Sequence, residues 1–298
     1  MRLVLIMDIN KIKENNFEVI GMIAYYLINH SDFINEEMID EVVKVSGVSE
    51  EEAFFLLFCD ACELNIGDNK DDLYLAMKYF KEGIKKLNKE DYVNNPYYKN
   101  IKVGEEKFGN WEFKYEKYKP YEAFIYDDLI VKDNFVEIPR VGYFSEEFEY
   151  LAVLENGNEW MLITPNEINT MQPVIDSVNG EVVAFGLGLG YFAYMCSIKE
   201  NVNSITVVER DKNVIELFEK YILPQFEYKD KIHIVNSDAF EFAKEMKDFD
   251  FAFVDLWHDV SDGVELYLKM KSLEKETIKY YYWIEESILS HLRWQMIK

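Results

Sequence analysis

The chain has 298 residues, of which 49% are hydrophobic and 16% aromatic, a composition that supports packed cores and argues against wholesale disorder. Its 56 acidic residues outnumber its 32 basic ones and give a net charge of −24. An extended nucleic-acid interface needs clustered basic residues, so the charge argues against such a partner. The length suits two domains, or one domain with a large extension.

The cysteines and the N-terminal segment indicate the cellular compartment of the protein. Cys59, Cys62 and Cys196 are too few for a disulfide framework in a chain of this size. Cys59 and Cys62 form a C-x-x-C pair inside an apolar helical run without a second pair, which favours buried thiols over a zinc or redox site. The first apolar run reaches Asp8 too soon for a signal-peptide core, and no run is long enough to span a bilayer. These features predict a cytoplasmic protein without a membrane partner.

Residues 1–92 are predicted to form a helical N-terminal domain. Four segments carry apolar residues at helical spacing. These segments are 17–27, 36–45, 54–62 and 73–87. Ser49 opens a capping box, and Asn69 or Asp71 could cap the last helix. The domain offers no chemistry, so we expect a packing or homodimerisation module, with a substrate-recognition lobe as the alternative.

Residues 93–164 are predicted to form a β-rich segment. The stretch Trp111–Tyr118 alternates with period two, as a strand with one polar face does. Shorter candidate strands follow at 121–126, 129–131 and 135–138. The clearest hairpin joins residues 151–154 to 159–163 through Asn156 and Gly157, a pair suited to positive φ. The aromatic residues here favour sheet packing over base stacking.

Residues 165–298 alternate between strands and helices. After a helix that begins at Pro165, the predicted strands are 182–185, 204–208, 231–235, 249–254 and 280–284. The predicted helices between them are 191–199, 212–221, 239–247 and 262–275. This order predicts an α/β domain with a doubly wound, mainly parallel sheet. Its ligand site is expected at the carboxyl ends of the strands, where the strand order reverses.

A glycine loop follows the first of these strands. Gly186, Gly188 and Gly190 stand at alternate positions, which lets the backbone turn tightly and approach a ligand without an intervening Cβ. The helix after the loop turns its unpaired N–H groups toward the same place. The loop therefore predicts a nucleotide-like or carboxylate-bearing ligand.

Acidic residues follow the next two strands. Glu209, with Arg210 beside it, ends the second strand, where a carboxylate can accept both hydroxyls of a ribose. Asp238 and Ala239 follow the third strand, where the carboxylate can bind an adenine amino group. Phe240 could stack on the adenine ring.

The spacing Gly-x-Gly-x-Gly, with Leu187 at its second position, and the acids after it resemble the class I S-adenosylmethionine-dependent methyltransferase fold, which is Rossmann-like. The resemblance covers about residues 165–285 and implies S-adenosylmethionine as the cofactor. It implies that Gly186 to Gly190 hold the methionine moiety, Glu209 the ribose, and Asp238 with Ala239 the adenine. It predicts methyl transfer to a small-molecule or protein acceptor that it does not identify.

The chain also resembles aminopropyltransferases of the spermidine synthase type. These place a β-rich piece and a hairpin before the same glycine-loop domain, as residues 111–163 do here. That family's loop runs Gly-Gly-Gly-Asp, whereas Tyr191 follows Gly190 in this chain, and the residues after Asp255 also depart from its pattern. Acids for a cationic amine could come from Glu167, Asp255 and Asp259. Aminopropyl transfer is therefore the alternative.

The end of the chain departs from both families. Methyltransferases of this class add two further strands after the fifth, whereas residues 283–293 read as a closing helix here. We therefore expect a five-stranded sheet that lacks the usual last two strands. Because that leaves the acceptor side undefined, a non-catalytic S-adenosylmethionine-binding or scaffold protein is a third hypothesis.

Asp255 and His258 are the catalytic candidates. Asp255 follows the fourth strand, where a carboxylate beside a sulfonium can position or deprotonate a nucleophile, although it could instead cap the next helix. His258 could act as a base near neutral pH, although a hydrogen-bonded loop histidine is the commoner case. No residue cluster has the spacing of a metal site.

Overall fold

The computed structural model describes residues 2–105 and 107–296 and contains two compact units. The first unit comprises residues 2–89 and 117–149, and the second comprises residues 90–116 and 150–296. The division at residues 92 and 164 stays a prediction, as do homodimerisation and the cytoplasmic location. Among the helices that the structure describes, none is long and apolar enough to cross a bilayer.

The helices are α1 (Arg2–His30), α2 (Glu36–Ser46), α3 (Glu50–Ala61), α4 (Lys70–Leu75), α5 (Lys81–Gly83), α6 (Lys89–Val93), α7 (Pro96–Asn100), α8 (Pro165–Ser177), α9 (Tyr191–Ser197), α10 (Lys212–Leu217), α11 (Ala239–Glu245), α12 (Val260–Lys271) and α13 (Glu285–Met296). The strands are β1 (Ile84–Lys86), β2 (Lys107–Phe108), β3 (Trp111–Tyr118), β4 (Phe124–Val131), β5 (Glu137–Tyr143), β6 (Phe148–Glu155), β7 (Asn158–Leu162), β8 (Gly180–Phe185), β9 (Val202–Glu209), β10 (Ile232–Asn236), β11 (Phe251–Val254) and β12 (Lys279–Tyr282). Single π-helical turns follow α4 at Ala76–Phe80 and α10 at Phe218–Ile222.

The first unit packs α1 to α5 with a three-stranded sheet of order β1-β5-β4. Its core is aromatic: Phe54, Phe58 and Tyr79 are buried, and the Phe54 ring stacks on Tyr143 with 3.7 Å between centroids. The predicted caps are confirmed, since the Ser49 side chain accepts from the Glu52 amide and Asn69 caps α4. The helices predicted over 17–27, 36–45 and 54–62 are confirmed. Cys59 and Cys62 are buried and not disulfide-bonded.

The fourth predicted helix, 73–87, is wrong at its end. The helical segment stops at Gly83, and β1 then pairs in parallel with β5, with Ile84 opposite Val141. A Cβ on Gly83 would lie 2.2 Å from the carbonyl oxygen of Pro139. The chain therefore passes so close to β5 that only glycine fits, and the backbone becomes extended there to join the sheet.

The predicted strands of the first unit are shifted or merged. The segments 121–126 and 129–131 form the single strand β4, which pairs with β5 through irregular register at Asp127. Tyr121 lies outside the strand with φ of 63°, and the strand expected at 135–138 is instead β5. Apolar alternation located these strands but not their ends, because bulges break the period of two.

The short helix α7 lies where β structure was expected, whereas α6 falls at the end of the segment predicted to be helical. Asn95 accepts a hydrogen bond from the Tyr97 amide at 2.8 Å, and Pro96 occupies the first turn of α7. Asparagine at the cap followed by proline at the first helical position is a known start signal that the aromatic texture masked. In the same unit, the hairpin between β6 and β7 is confirmed, with φ of 53° at Asn156 and 82° at Gly157.

The five-stranded sheet of the second unit has the order β10-β9-β8-β11-β12, and each pair of neighbours runs parallel. With helices between its strands it forms the Rossmann-like α/β fold that the sequence predicts. The order reverses beside β8, so the loops after β8 and β11 meet at the switch point. The chain continues from β12 into the predicted closing helix, α13.

Candidate functional site

The glycine loop joins β8 to α9, and its three glycines have φ of 100°, 56° and 73°. A Cβ on Gly186 would lie 2.0 Å from the carbonyl oxygen of Asp255, and one on Gly190 would lie 2.2 Å from the ring of Phe218. The nearest atom to a Cβ on Gly188 would be the Met161 sulfur at 3.3 Å. Internal packing therefore requires glycine at positions 186 and 190. At Gly186 the glycine loop packs against the loop that follows β11, and at Gly190 it packs against Phe218.

This difference predicts unequal effects of alanine at two glycines. Gly190→Ala is expected to destabilise the protein by about 3 kcal/mol, because backbone strain adds to a clash with Phe218. Gly188→Ala is expected to cost about 1 kcal/mol, since the Met161 side chain can move aside and mainly the positive φ is penalised. Urea denaturation measures both, and equal losses would contradict this account of the loop.

Glu209, which ends β9, contacts the glycine loop. One carboxylate oxygen accepts a hydrogen bond from the Leu187 amide at 3.2 Å, and the other accepts from the Asp211 amide at 2.8 Å. Each oxygen retains a second lone pair that could accept a ribose hydroxyl. Arg210 is exposed, and its carbonyl accepts a hydrogen bond from the Asn236 amide side chain at 2.9 Å. The ribose role of Glu209 and the ligand role of Arg210 stay predictions.

Asp238 caps α11. One of its oxygens accepts from the amides of Phe240 at 2.9 Å and Glu241 at 3.0 Å. Ala239 and Phe240 are buried, and the Lys269 ammonium lies 3.7 Å from the centroid of the Phe240 ring. One face of that ring is therefore occupied by a cation, which leaves adenine at most the other face. The adenine roles of these residues stay predictions.

Two carboxyl groups near the carboxyl end of β11 interact electrostatically. Asp255 follows the strand, Glu167 lies in the first turn of α8, and both are half-buried. Burial raises the pKa of Asp255 to about 7, and the positive charge of His258 opposes this rise. Burial raises the pKa of Glu167 well above its usual range, and the negative charge of Asp255 raises it further. Burial and mutual repulsion therefore disfavour simultaneous ionisation of the two acids when no cation is present.

His258 is an exposed residue of the loop after Asp255. Its Nδ1 atom lies 3.1 Å from a carboxylate oxygen of Asp262, and the Asp262 carboxylate also accepts from the backbone amides of His258 and Asp259. The ring of Trp160 meets the imidazole edge to face, with 5.1 Å between centroids. Asp259 is exposed and caps α12 by accepting from the Ser261 amide at 2.6 Å. The loop thus brings His258 near Asp255, whereas Asp259 serves the helix.

Residues of α7 that were not predicted from the sequence hold the glycine loop. The Tyr97 hydroxyl donates to the carbonyl of Leu189 at 2.6 Å. Asn95 and Asn100 donate from their side-chain amides to the hydroxyls of Tyr191 at 2.8 Å and Tyr194 at 2.7 Å. These contacts connect α7 to the loop and to α9. The signal that could have located them is the helix start at Asn95 and Pro96.

Tyr97→Phe tests this connection. The change leaves the Leu189 carbonyl without its hydroxyl donor, so we expect a loss of about 1–2 kcal/mol in the free energy of unfolding. Tyr228→Phe is the matched control, because Tyr228 is exposed on the same unit. Equal denaturation midpoints for the two variants would show that the hydrogen bond contributes nothing.

A groove at the opposite edge of the sheet is separate from these residues. It is lined by Lys244, Asp248, Lys275 and Ile278, which precede β11 and β12. In doubly wound sheets ligands bind at the carboxyl ends of the strands. The candidate site is therefore the constellation of the glycine loop, Glu209, Asp238 and the Asp255 loop.

This constellation lies within a match to a known family. Residues 185–275 match the family model described as the spermine/spermidine synthase domain. The matched stretch begins at the last residue of β8 and contains the glycine loop, Glu209, Asp238 and Asp255. No curated protein matches the chain.

Three solved structures align with part of the chain. Spermidine synthase from Thermotoga maritima is 15% identical with a TM-score of 0.34, over 46% of this chain and 52% of that chain. Spermidine synthase in complex with the transition state analogue AdoDATO is 15% identical with a TM-score of 0.38, over 51% and 61%. Precorrin 8W decarboxylase from Methanobacterium thermoautotrophicum is 20% identical with a TM-score of 0.28, over 35% and 53%. The chain thus spans about half the length of the first and last of these proteins.

The predicted methyltransferase function is wrong. The family whose model matches the site-bearing segment is the spermine/spermidine synthase domain, which favours the alternative of aminopropyl transfer. The physical reason for the error is that Glu209, Asp238 and Ala239 were predicted to contact the ribose and the adenine, which form the adenosine half of the donor. Methyl donors and aminopropyl donors share that half, so these residues do not distinguish the two reactions.

Proposed function

We propose that this protein is an aminopropyltransferase, which moves an aminopropyl group from a decarboxylated S-adenosylmethionine-type donor to an amine acceptor. The observation that carries the proposal is the family match over 185–275, the segment that holds the glycine loop, Glu209 and Asp255. The paired acids Glu167 and Asp255 support it independently. A site for a cationic amine benefits from carboxylates that lie close together and become ionised when the cation arrives.

The residues divide between the two substrates. In this proposal the glycine loop, Glu209 and Asp238 hold the adenosine part of the donor, and Ala239 and Phe240 border its base. The donor carries a sulfonium and a primary ammonium, so the carboxylates beside it complement its charge. The acceptor amine approaches from the side of Asp255.

The reaction is a single displacement at carbon. The acceptor ammonium first loses a proton to Asp255, because only the neutral amine has the lone pair that attacks. The nitrogen then bonds to the aminopropyl carbon attached to sulfur, and the carbon–sulfur bond breaks. The sulfur keeps the electron pair, and a neutral thioether, 5′-methylthioadenosine, leaves. Since the sulfonium is already activated, orientation and exclusion of water supply much of the rate.

The test is a transfer assay on the purified protein. Decarboxylated S-adenosylmethionine is incubated with a series of monoamines, diamines and triamines, and mass spectrometry detects the thioether and a product heavier by one aminopropyl group. S-adenosylmethionine with the same amines is the parallel sample. Thioether release that depends on both donor and amine would support the proposal. Release of S-adenosylhomocysteine, or no thioether with any amine, would reject it.

A further inference from the structure

The strand β7 carries an irregularity beside the candidate site. Val153 of β6 pairs with Met161, but the next residue, Leu154, pairs with Glu159, so Trp160 is an extra residue on β7. Successive side chains of a regular strand point to opposite faces, and a bulge redirects one of them. Such bulges are frequent next to active sites.

The bulge brings two successive side chains to the two loops of the site. The Met161 sulfur lies 3.3 Å from the position that a Cβ on Gly188 would occupy. The Trp160 ring meets the His258 imidazole at 5.1 Å between centroids and an interplanar angle of 79°. Behind it, the buried ring of Trp111 supports Trp160 edge to face at 5.4 Å. Trp160 thus packs between Trp111 and His258.

A second residue holds the same imidazole. Asp262, in the first turn of α12, lies 3.1 Å from Nδ1 of His258 and accepts from the His258 backbone amide, also at 3.1 Å. A carboxylate on Nδ1 favours the tautomer with hydrogen there, which leaves Nε2 as the proton acceptor. Asp262 and Trp160 therefore restrain both the tautomer and the ring plane.

We infer that His258 is the proton outlet of the Glu167 and Asp255 pair, and that Trp160 and Asp262 are the residues that position it. The inference rests on the proposed function, which requires each acceptor amine to lose a proton. The pair is half-buried, whereas the His258 side chain is 60% exposed and its charge acts on Asp255.

The proton moves in three transfers. It passes from the ammonium nitrogen to the Asp255 carboxylate, from there to Nε2 of His258, and then to water. The hydrogen on Nδ1 stays hydrogen-bonded to Asp262 throughout. The charged groups that interact with the imidazole are Asp262 of α12, which contacts Nδ1, and Asp255 of its own loop, which in turn interacts with Glu167 of α8. The neighbouring side chain from β7 is the uncharged Trp160.

The kinetic test uses His258→Gln. We expect kcat to fall about 10- to 100-fold with little change in the donor KM, because proton removal and not binding is impaired. Added imidazole should restore most of the lost kcat, which a merely structural role would not allow. His233→Gln, an exposed residue on β10, is the control and should keep wild-type kcat. An unchanged kcat in His258→Gln, or a loss that imidazole does not restore, would overturn the inference.

The positioning test is independent of turnover. Nitrogen NMR of the full chain should show His258 with hydrogen on Nδ1, and Asp262→Asn or Trp160→Leu should convert it to a mixture of tautomers. Trp160→Phe keeps an aromatic edge and should keep the single tautomer. If the wild-type protein transfers no aminopropyl group, the proposed function is rejected. The NMR spectrum still tests whether Asp262 and Trp160 position His258. A mixture already present in the wild type would overturn the positioning by Asp262 and Trp160.

Discussion

Asp255→Asn is expected to make the protein more stable at pH 8 while it slows the proposed transfer. The folded-state pKa of Asp255 is about 7, against 3.8 as its ordinary value. Between these values the folded state binds more protons than the unfolded state, so stability falls as pH rises from about 4 to about 7. Asparagine resembles the neutral acid and carries no such penalty.

The size of this effect follows from the pKa difference. Each pKa unit corresponds to about 1.4 kcal/mol, so Asp255→Asn should gain at most about 4 kcal/mol at pH 8, and about 1–2 kcal/mol at pH 5. Removal of the base should lower the transfer rate about 10²- to 10⁴-fold. Urea denaturation at the two pH values measures the first effect, and the thioether assay measures the second.

The matched control is Asp176→Asn, an exposed acid at the other end of α8. It should change neither the stability difference between pH 5 and pH 8 nor the transfer rate. If Asp255→Asn were less stable than the wild type at pH 8, or gained equally at both pH values, the half-buried ionised carboxylate would not be the source of the penalty.

Glu167→Gln is expected to weaken binding of the amine acceptor about 10- to 100-fold, the value of one charge-assisted hydrogen bond. In the wild type, burial and mutual repulsion raise the pKa values of the two acids, whereas a bound ammonium group favours their ionised forms. Amine binding should therefore release protons and strengthen as pH rises through 7. In the Glu167→Gln variant only Asp255 can respond, so both the proton release and the pH dependence should decrease.

Calorimetry in two buffers of different ionisation enthalpy measures this proton release. The amine is titrated at pH 6.5 into wild-type protein, Glu167→Gln and the Asp176→Asn control. The control should release as many protons as the wild type. Equal proton release by the wild type and Glu167→Gln would show that Glu167 takes no part in holding the amine.

Local patterns were sufficient to predict the sheet of the second unit and the position of the glycine loop. The strands β8 to β12 are largely apolar runs in the sequence. An acid that directly follows such a run is therefore predicted to lie at the carboxyl end of the strand. Ser49 and Asn69 were identifiable as caps because their hydrogen bonds join residues within one helical turn. The glycine loop was identifiable because its spacing is a backbone requirement.

The sequence was less informative where distant segments meet. The helix ends at Gly83 because β5 passes beside it, and no local signal announces that contact. Apolar alternation could not show the extra residue Trp160, because register depends on the partner strand. The α7 residues that hold the loop become functional only through their contact with Leu189 and α9.

By itself, the sequence determined an α/β unit with a glycine loop and acids at its strand ends, because strand period, capping and glycine's conformational range are local properties. Only the tertiary structure placed Glu167 of α8 beside Asp255 and set His258 between Asp262 and Trp160. Burial and mutual charge decide how a carboxyl group titrates, and both arise when distant parts of the chain pack together. The interaction of Glu167 with Asp255 is therefore a product of packing, whereas the glycine loop and Glu209 could be identified from the sequence.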